Sequence, residues 1–440
     1  MLEDQGMAMW VKDGVLVDPL RGVAEERDLI IEGGKVQRIL PRGELKDPGP
    51  RLKIIDAFGK VIIPGLIDMH VHLREPGHEH KETIFTGSRA GVAGGFTGLA
   101  CMPNTEPVND SPWVTRFILE RAREAGLLSV YPIAAITRGQ RGERLTDFSE
   151  LRRAGAVGVS DDGRPVFDGE VMRMALESAR EHGLTLVSHC EDLGLSAGGV
   201  MHESDVSKQM GLKGIPAASE EVMVQRDISL AKLTGCPFHV AHVSTAGSVA
   251  LIKRAKEESV PVTAETAPHY FTLDHTAVIG YNTNAKMNPP LRSAEDVEAV
   301  KNGLSEGVID AIATDHAPHS PLEKEVAFDK AAFGIIGLET AVPLTMALVR
   351  GGVLTMPSAI RKLSLNPATI LGVSGGVLAE GSSADLAIID PEGEFVLEAS
   401  HIHSKSKNSP FIGKRLKGKN TLTMRGGQIV WERDSEYPGR

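Results

Sequence analysis

Residues 66–72, LIDMHVH, are the first of eight short apolar, β-rich runs along the middle of the chain. The other seven are FTGLACM, LSVYPIAA, AVGVS, LTLVSH, FHVAHVS, VPVTAE and VIDAIAT. Between them lie stretches with apolar residues at helical spacing, such as residues 113–126 and 171–183. Eight β/α units favour a closed parallel barrel over an open sheet. The sequence therefore predicts an α/β fold with a (β/α)8 barrel of the TIM type over residues 61–377.

Both ends of the chain read instead as short strands separated by glycine turns. WVKDGVLVD, DLIIEGGKVQRIL and LKIIDAFGKVII lie within residues 10–63, and ADLAIID, EFVLEA and TLTMRGGQIVWE within residues 384–432. We expect these two β-rich ends to pair into one small β-sandwich domain. Residues 1–60 would form its N-terminal part and residues 378–440 its C-terminal part.

The composition, 41% hydrophobic and 24% charged residues, is typical of a soluble globular protein. A net charge of −10 without a basic patch argues against a nucleic-acid partner, and no apolar run is long enough for a membrane span. The N-terminal MLEDQGMAMW has acidic residues where a signal peptide would carry basic ones. Cys101, Cys190 and Cys236 form no CxxC pair and cannot all be disulfide-bonded. We therefore expect a cytoplasmic protein.

Imidazoles and carboxylates recur where the predicted barrel strands end. His70 and His72 close the first strand, and residues i and i+2 of a strand point to the same side, so both face one point in the barrel mouth. Further candidates share this placement at strands four, five, six and eight: Asp161, Asp162, His189, His242 and Asp315. Active sites of such barrels lie at this end. Together these residues offer nitrogen and oxygen ligands suited to zinc or a similar divalent ion.

A structural role is the alternative for each histidine taken alone. It does not account for a whole set in register at the ends of several strands, so we interpret the set as a metal site. Other histidines lack this placement and are interpreted as structural: His182, His202, His239, His275, His401 and His403. His269 lies nearer the mouth and is interpreted as supporting or structural. Cys190 follows His189 directly and should point the opposite way, toward the helices.

Several motifs resemble those of class I, bacterial-type dihydroorotases of the amidohydrolase superfamily. DMHVHLREPG at 68–77 is similar to the first signature of that family, and ATDHAPHSPLEK at 313–324 to the second. MPNTEP, SDDG, SHCED, HVAHVST, KMNPPLR and FGIIGLET accompany them in the expected order. The resemblance covers essentially the whole chain. It implies a zinc-dependent hydrolase that reversibly cyclises N-carbamoyl-L-aspartate to dihydroorotate in pyrimidine biosynthesis.

The resemblance also implies a role for each ligand candidate. One metal would be held by His70, His72, Asp162 and Asp315, and a second by Asp162, His189 and His242. The class varies between one and two zinc ions per subunit, so the stoichiometry stays open. Many members of the superfamily bridge their metals with a carboxylated lysine, but the fourth strand, VGVSDDG, offers none. Asp315 would also be the catalytic residue, carrying a proton between the attacking water and the leaving nitrogen.

Substrate recognition is predicted from position and from the resemblance. Arg74 lies two residues past His72 on the same strand face. Its planar fork suits the carboxylate that dihydroorotate carries and that dihydrouracil and hydantoin lack. The alternative for Arg74 is a surface salt bridge. The resemblance implies further substrate contacts: His72, then Asn104 and His319 at the carboxylate, and Asn288 with the backbone of Phe333 and Gly334 at the pyrimidine ring.

Two alternative functions stay open at this point. A hydantoinase, dihydropyrimidinase or allantoinase typically shows the lysine bridge and lacks the arginine of HxHxR. An inactive dihydroorotase-like scaffold of aspartate transcarbamoylase would have lost metal-ligand residues. This chain keeps all six predicted metal ligands. Association with that transcarbamoylase and formation of a homo-oligomer are further expectations from the resemblance.

Overall fold

The computed structural model describes residues 8–46 and 52–433. Its strands are β1 Ala8–Asp18, β2 Val23–Glu32, β3 Lys35–Pro41, β4 Leu52–Asp56, β5 Val61–Pro64, β6 Leu66–Val71, β7 Phe96–Cys101, β8 Ser129–Ala134, β9 Gly158–Val159, β10 Thr185–Ser188, β11 Met201–His202, β12 Gly214–Ile215, β13 Phe238–Val240, β14 Val262–Thr266, β15 Ala311–Ile312, β16 Leu386–Val396, β17 Arg415–Arg425 and β18 Gln428–Glu432. Its α-helices are α1 Ile84–Ala93, α2 Pro112–Ala125, α3 Phe148–Ala154, α4 Gly169–Glu181, α5 Leu193–Ser196, α6 Asp205–Gln209, α7 Ala218–Thr234, α8 Ala246–Glu257, α9 Ala294–Ser305, α10 Pro321–Lys324, α11 Ala341–Arg350, α12 Met356–Ile360 and α13 Asn366–Leu371.

Eight parallel strands form the predicted barrel, in the order β6-β7-β8-β9-β10-β13-β14-β15. The ring closes where Val71 pairs in parallel with His316, and His72 N donates to His316 O at 2.8 Å. Asp68 supports the same seam because its carboxylate accepts from Thr314 N at 3.2 Å. Helices lie between successive strands and after the last one, chiefly α1, α2, α3, α4, α7, α8, α9 and α11. The closed barrel predicted from the sequence is confirmed.

Helix α4 illustrates how local sequence sets these elements. Asp168 caps its N-terminus by accepting from Glu170 N at 2.8 Å and Val171 N at 3.0 Å, a cap that contributes about 1 kcal/mol. One face of the helix is buried at helical spacing, with Met172, Ala175, Leu176 and Ala179. The amphipathic pattern therefore places this helix against the barrel wall, as predicted.

Several barrel strands are shorter than the apolar runs that predicted them. The last run, VIDAIAT, contributes only Ala311–Ile312, and AVGVS only Gly158–Val159. Downstream of their strands, His242 and Asp315 have left-handed backbone φ values of 36° and 48°. Regular strands do not contain such residues, so the chain leaves the sheet before His242 and Asp315.

The chain ends build one mixed sheet beside the barrel. Its order is β18-β17-β16-β5-β1-β2-β3, and β4 also pairs with β1. The N-terminal and C-terminal parts meet where β5 runs antiparallel to β16. The predicted pairing of the two chain ends is confirmed. Their strands form a single sheet, in which β1 pairs with β2, β4 and β5. Val61–Pro64 pairs with β1 and β16 and therefore belongs to this sheet. The predicted domain boundaries, between residues 60 and 61 and between residues 377 and 378, stay predictions.

The three cysteines are buried and unpaired. Cys190 Sγ lies 3.5 Å from Ser188 Oγ and 3.7 Å from Asp227 Oδ2 on α7, so its predicted orientation toward the helices is confirmed. Burial raises the pKa of the Cys190 thiol well above its ordinary value, which keeps it protonated and unreactive. Within residues 8–46 and 52–433, no helix combines the length and apolarity that a membrane crossing requires.

Candidate metal centre and substrate pocket

Four imidazoles surround the carboxylate of Asp162 at the C-terminal end of the barrel. Asp162 Oδ1 lies 3.4 Å from His70 Nε2 and 3.3 Å from His189 Nδ1. It lies 3.5 Å from His242 Nε2, while Oδ2 lies 3.5 Å from His72 Nε2. All five side chains are buried. Two trios of possible metal ligands therefore share Asp162: His70, His72 and Asp162, and Asp162, His189 and His242.

Asp315 lies beside the first of these trios. Its Oδ1 is 3.1 Å from His72 Nε2 and 3.6 Å from His70 Nε2. Asp161 lies apart, because its carboxylate accepts from Thr137 N at 3.1 Å and from Thr137 Oγ1. Of the two consecutive aspartates considered from the sequence, only Asp162 contacts the histidines, and Asp161 fixes the loop.

Two glutamates that the sequence analysis did not select complete the centre. Glu265 Oε1 lies 2.6 Å from His70 Nδ1, and Glu191 Oε2 lies 3.0 Å from His189 Nε2. Each carboxylate accepts from the ring nitrogen that faces away from Asp162, which orients the other nitrogen toward Asp162. The signal for Glu265 was its position in VPVTAE, at the end of the seventh run. For Glu191 it was the spacing of two from His189 in SHCED.

The donor set fits a divalent metal ion. His70 Nε2 and Asp162 Oδ1 are buried and have no hydrogen-bond partner in the part of the chain that the structure describes. Such atoms are costly to bury unless another group satisfies them. Imidazole nitrogens with carboxylate oxygens are the ligands that zinc and similar ions take in catalytic sites. A metal at this position would satisfy both atoms.

The electrostatics of the centre also favour a cation. Burial opposes a charge on His70, but Asp162 and Glu265 outweigh it and raise the pKa of this imidazole well above its ordinary value. Burial likewise opposes charge on His189, while Asp162 and Glu191 raise its pKa to about 10. The carboxylates therefore make positive charge favourable in a buried place, as a metal site requires.

Arg74 and His319 form a second polar group next to the metal centre. Arg74 is 9% exposed, with Nε donating to Pro318 O at 3.2 Å and Nη2 lying 3.3 Å from His319 Nε2. His319 Nε2 donates to Phe333 O at 2.8 Å. Arg74 forms no ion pair among the described residues, so the alternative of a surface salt bridge is wrong.

His72 contacts both the metal centre and Asn104, another predicted substrate residue. Its Nε2 faces Asp162 and Asp315, and its Nδ1 lies 2.9 Å from Asn104 Oδ1. Asn288 lies on the other side of the centre, where its Nδ2 donates to Glu191 Oε2 at 2.9 Å. The predicted ligands are thus brought together, and the predicted substrate residues lie around them.

Comparisons with known proteins agree with this site. The family model described as "Dihydro-orotase-like" matches residues 59–248. A curated protein named dihydroorotase from Pelobacter propionicus is 52% identical over 427 residues, covering 97% of this chain and 100% of that protein. One from Pelotomaculum thermopropionicum is 53% identical over 427 residues, covering 97% of this chain and 99% of its own length.

The chain belongs to the dihydroorotase family. The resemblance found in the sequence is thereby confirmed. The chain shares its fold with the solved structure of L-hydantoinase (dihydropyrimidinase) from Arthrobacter aurescens. The two are 26% identical with a TM-score of 0.85, and the match covers 97% of this chain and 96% of the hydantoinase. Dihydropyrimidinase from Brevibacillus agri, 23% identical at a TM-score of 0.83 over 97% of this chain and 95% of its own, shows the same fold.

Within this dihydroorotase-family chain, Asp162 takes the central position among the four histidines. None of the contacts described for those histidines involves a lysine side chain. The arrangement therefore agrees with the sequence argument against a lysine-bridged hydantoinase.

Proposed function

We propose that the chain is a dihydroorotase that cyclises N-carbamoyl-L-aspartate reversibly to dihydroorotate and water in pyrimidine biosynthesis. The observation that carries this proposal is a buried arginine, Arg74, placed two residues from His72 of the metal centre. Dihydroorotate presents a cyclic amide and a carboxylate on one ring. A hydrolytic centre with an adjacent arginine matches both groups, whereas dihydrouracil and hydantoin lack the carboxylate.

The metal in this proposal is zinc, with one or two ions per subunit. His70, His72, Asp162 and Asp315 would hold the first ion, and Asp162, His189 and His242 would hold the second. A divalent metal bound there would supply a water whose pKa falls from about 15.7 to near 7, and would polarise the amide carbonyl. The protein contributes the orientation of the donors, because Glu265 and Glu191 hold the outward nitrogens of His70 and His189.

Asp315 carries the proton in this mechanism. In hydrolysis its carboxylate takes a proton from the attacking water while the new carbon–oxygen bond forms. It returns that proton to the ring nitrogen as the carbon–nitrogen bond breaks. In cyclisation the same steps run in reverse. Its Oδ1 lies 3.1 Å from His72 Nε2, and this proximity to a candidate metal ligand supports the role.

The remaining predicted residues hold the substrate. Arg74, Asn104 and His319 receive its carboxylate, with His72 between them and the reacting amide. Asn288 and the backbone of Phe333 and Gly334 meet the pyrimidine ring. Burial and the neighbouring Arg74 charge lower the pKa of His319, so this imidazole is neutral, and its single N–H would donate to the substrate carboxylate in place of Phe333 O.

The test compares turnover of dihydroorotate, dihydrouracil and hydantoin by protein of measured metal content, with and without aspartate transcarbamoylase. Dihydroorotate should be the preferred substrate, with activity lost to a chelator and restored by zinc. Faster hydrolysis of hydantoin or dihydrouracil would favour the cyclic-amidase alternative. Metal-loaded protein without turnover, even with the transcarbamoylase, would favour the inactive scaffold.

The proposal extends to partners and location. It includes a homo-oligomer and association with aspartate transcarbamoylase. It also includes a cytoplasmic location, which the unpaired cysteines support. Light scattering of the protein alone and mixed with the transcarbamoylase measures the first two. A monomer that does not change mass in the mixture would contradict both.

A further inference from the structure

Asn408 lies in the segment between β16 and β17, outside the barrel, yet its side chain reaches the substrate side of the mouth. Its Nδ2 donates to Ala317 O at 3.0 Å and to Gly334 O at 3.1 Å. Its Oδ1 accepts from His319 N at 3.0 Å, and its own carbonyl accepts from Ile336 N at 3.0 Å. The residue is 4% exposed. A carboxamide can donate twice and accept at the same time, and here both capacities are used.

These bonds join two separate pieces of the pocket wall. Ala317 and His319 follow β15, whereas Gly334 lies in the segment ahead of α11. Gly334 has a φ of +128°, and a Cβ there would come within 2.6 Å of Ala317 Cβ. The two pieces are therefore in direct contact, at a distance that only glycine permits. The side chain of Asn408 holds both pieces through their backbone groups.

The segment that carries Asn408 is itself fastened to the barrel. Lys405 N donates to Glu82 Oε1 at 3.0 Å, and Ser406 Oγ donates to Lys81 O at 2.7 Å. Glu82 is fully buried. Because these contacts immediately precede Asn408, its carboxamide is positioned before any ligand binds.

We propose that Asn408 is a positioning residue for substrate recognition. It sets the spacing between His319, which faces Arg74, and the Phe333–Gly334 backbone. This inference rests on the proposed function, in which His319 and Arg74 receive the substrate carboxylate and the Phe333–Gly334 backbone contacts the pyrimidine ring. The domain built from the chain ends thus contributes to specificity through a side chain that does not touch the substrate.

Asn420 on β17, in the C-terminal part of the chain that also carries Asn408, offers a matched control. It is 3% exposed, and its Nδ2 donates to Val92 O at 3.1 Å and to Ala93 O at 3.2 Å. Those carbonyls belong to the end of α1, which leads into the N-terminal end of β7, opposite the mouth. Asn420 therefore ties the sheet to the barrel as Asn408 does, but away from the pocket.

The experiment measures kcat, KM for dihydroorotate, metal content and Tm for Asn408→Ala, Asn408→Asp and Asn420→Ala. Asn408→Asp keeps the acceptor for His319 N and removes the donors to Ala317 and Gly334. We expect both Asn408 variants to raise KM by at least about tenfold, equivalent to about 1.4 kcal/mol, with metal content unchanged and a smaller change in kcat. The inhibition constant of orotate, which carries the same carboxylate, should rise in parallel. Asn420→Ala should lower Tm and leave KM unchanged.

A merely structural Asn408 would lower Tm and leave KM and orotate inhibition at wild-type values, which overturns the inference. If Asn408→Ala does not fold, the Asn408→Asp variant decides alone. Failure of the proposed function has a different signature, namely wild-type protein that prefers hydantoin to dihydroorotate. In that event the KM for hydantoin in the Asn408 variants decides whether the residue positions the ring-binding Gly334 segment.

Discussion

His70 Nδ1 lies 2.6 Å from Glu265 Oε1, and both side chains are inaccessible to solvent. The second oxygen of the same carboxylate lies 3.4 Å from His239 Nε2, and His239 Nδ1 lies 2.8 Å from Thr263 Oγ1. One glutamate therefore spans two buried imidazoles. Because it fixes the outward nitrogen of His70, it orients Nε2 toward Asp162.

Replacing Glu265 with Gln should weaken metal binding without removing a ligand. The charge-assisted hydrogen bond to His70 would become a neutral one, and loss of such a supporting partner typically costs 10-fold to 100-fold in metal affinity. Zinc release to a chelator of known affinity measures the change. Glu258→Gln, on an exposed ion pair with Lys232, is the control. Equal zinc affinity in the two variants would contradict the role given to Glu265.

The convergence of the histidines could be predicted from the sequence because strand geometry fixes direction locally. The spacing of two between His70 and His72 puts both on one face of the predicted first strand whatever the rest of the chain does. Ends of parallel barrel strands meet at one mouth, so His189 and His242 could be added without knowledge of any contact. This reasoning needs only the order of the strands.

The supporting residues could not be predicted in this way. An acidic residue near a strand end is usually solvated, and the burial of Glu265 depends on His70 and His239 reaching it from other strands. Asn408 is 91 residues from Ala317 along the chain and 74 from Gly334. Its role depends on how the segment between β16 and β17 crosses the barrel, and periodicity carries no information about that path.

Asp162, as the ligand that both trios share, should support metal binding without any requirement for dissolved carbon dioxide. A carboxylated lysine needs carbon dioxide to form, whereas an aspartate is complete as synthesised. Apo-protein reconstituted with zinc should therefore recover equal activity in bicarbonate-free and bicarbonate-containing buffer. A strict requirement for bicarbonate would contradict the assignment of Asp162 as the shared ligand.

A pair of neighbouring variants separates Asp162 from Asp161. Asp162→Asn should lower the number of metal ions bound, because its oxygens contact all four histidines. Asp161→Asn should retain them, since that carboxylate binds Thr137 instead. Elemental analysis of both purified proteins measures the difference. Similar metal loss in both variants would contradict the assignment.

Asp315→Asn should reduce turnover far more than it reduces metal content. Asparagine keeps the shape and tolerates the left-handed φ of 48° at this position, but it cannot act as a base. Removal of a general acid–base group typically costs about 10²–10⁴-fold in rate. The measurement is kcat in both directions at full metal occupancy, and near-normal turnover would show that another group carries the proton.

Arg74 should decide the preference for a substrate with a carboxylate. Its guanidinium is buried beside His319. Burial lowers the pKa of Arg74 to about 10, so the group remains charged at neutral pH. A charge-assisted contact with the substrate carboxylate contributes about 1.5–3 kcal/mol net.

Arg74→Met should therefore lower kcat/KM for dihydroorotate by at least about tenfold to a hundredfold, from the tenfold change per 1.4 kcal/mol. The effect should be selective, because dihydrouracil and hydantoin have no carboxylate to lose a partner. Their turnover should be low in the wild type and fall little further. Arg89→Met, at an arginine on α1 whose Nη2 lies 3.4 Å from His403 Nδ1, is the control and should leave the ratio of the two kcat/KM values unchanged. An equal loss of kcat/KM for charged and uncharged substrates in Arg74→Met would show that Arg74 supports the pocket without binding the carboxylate. The site would then be that of a hydantoinase-like enzyme.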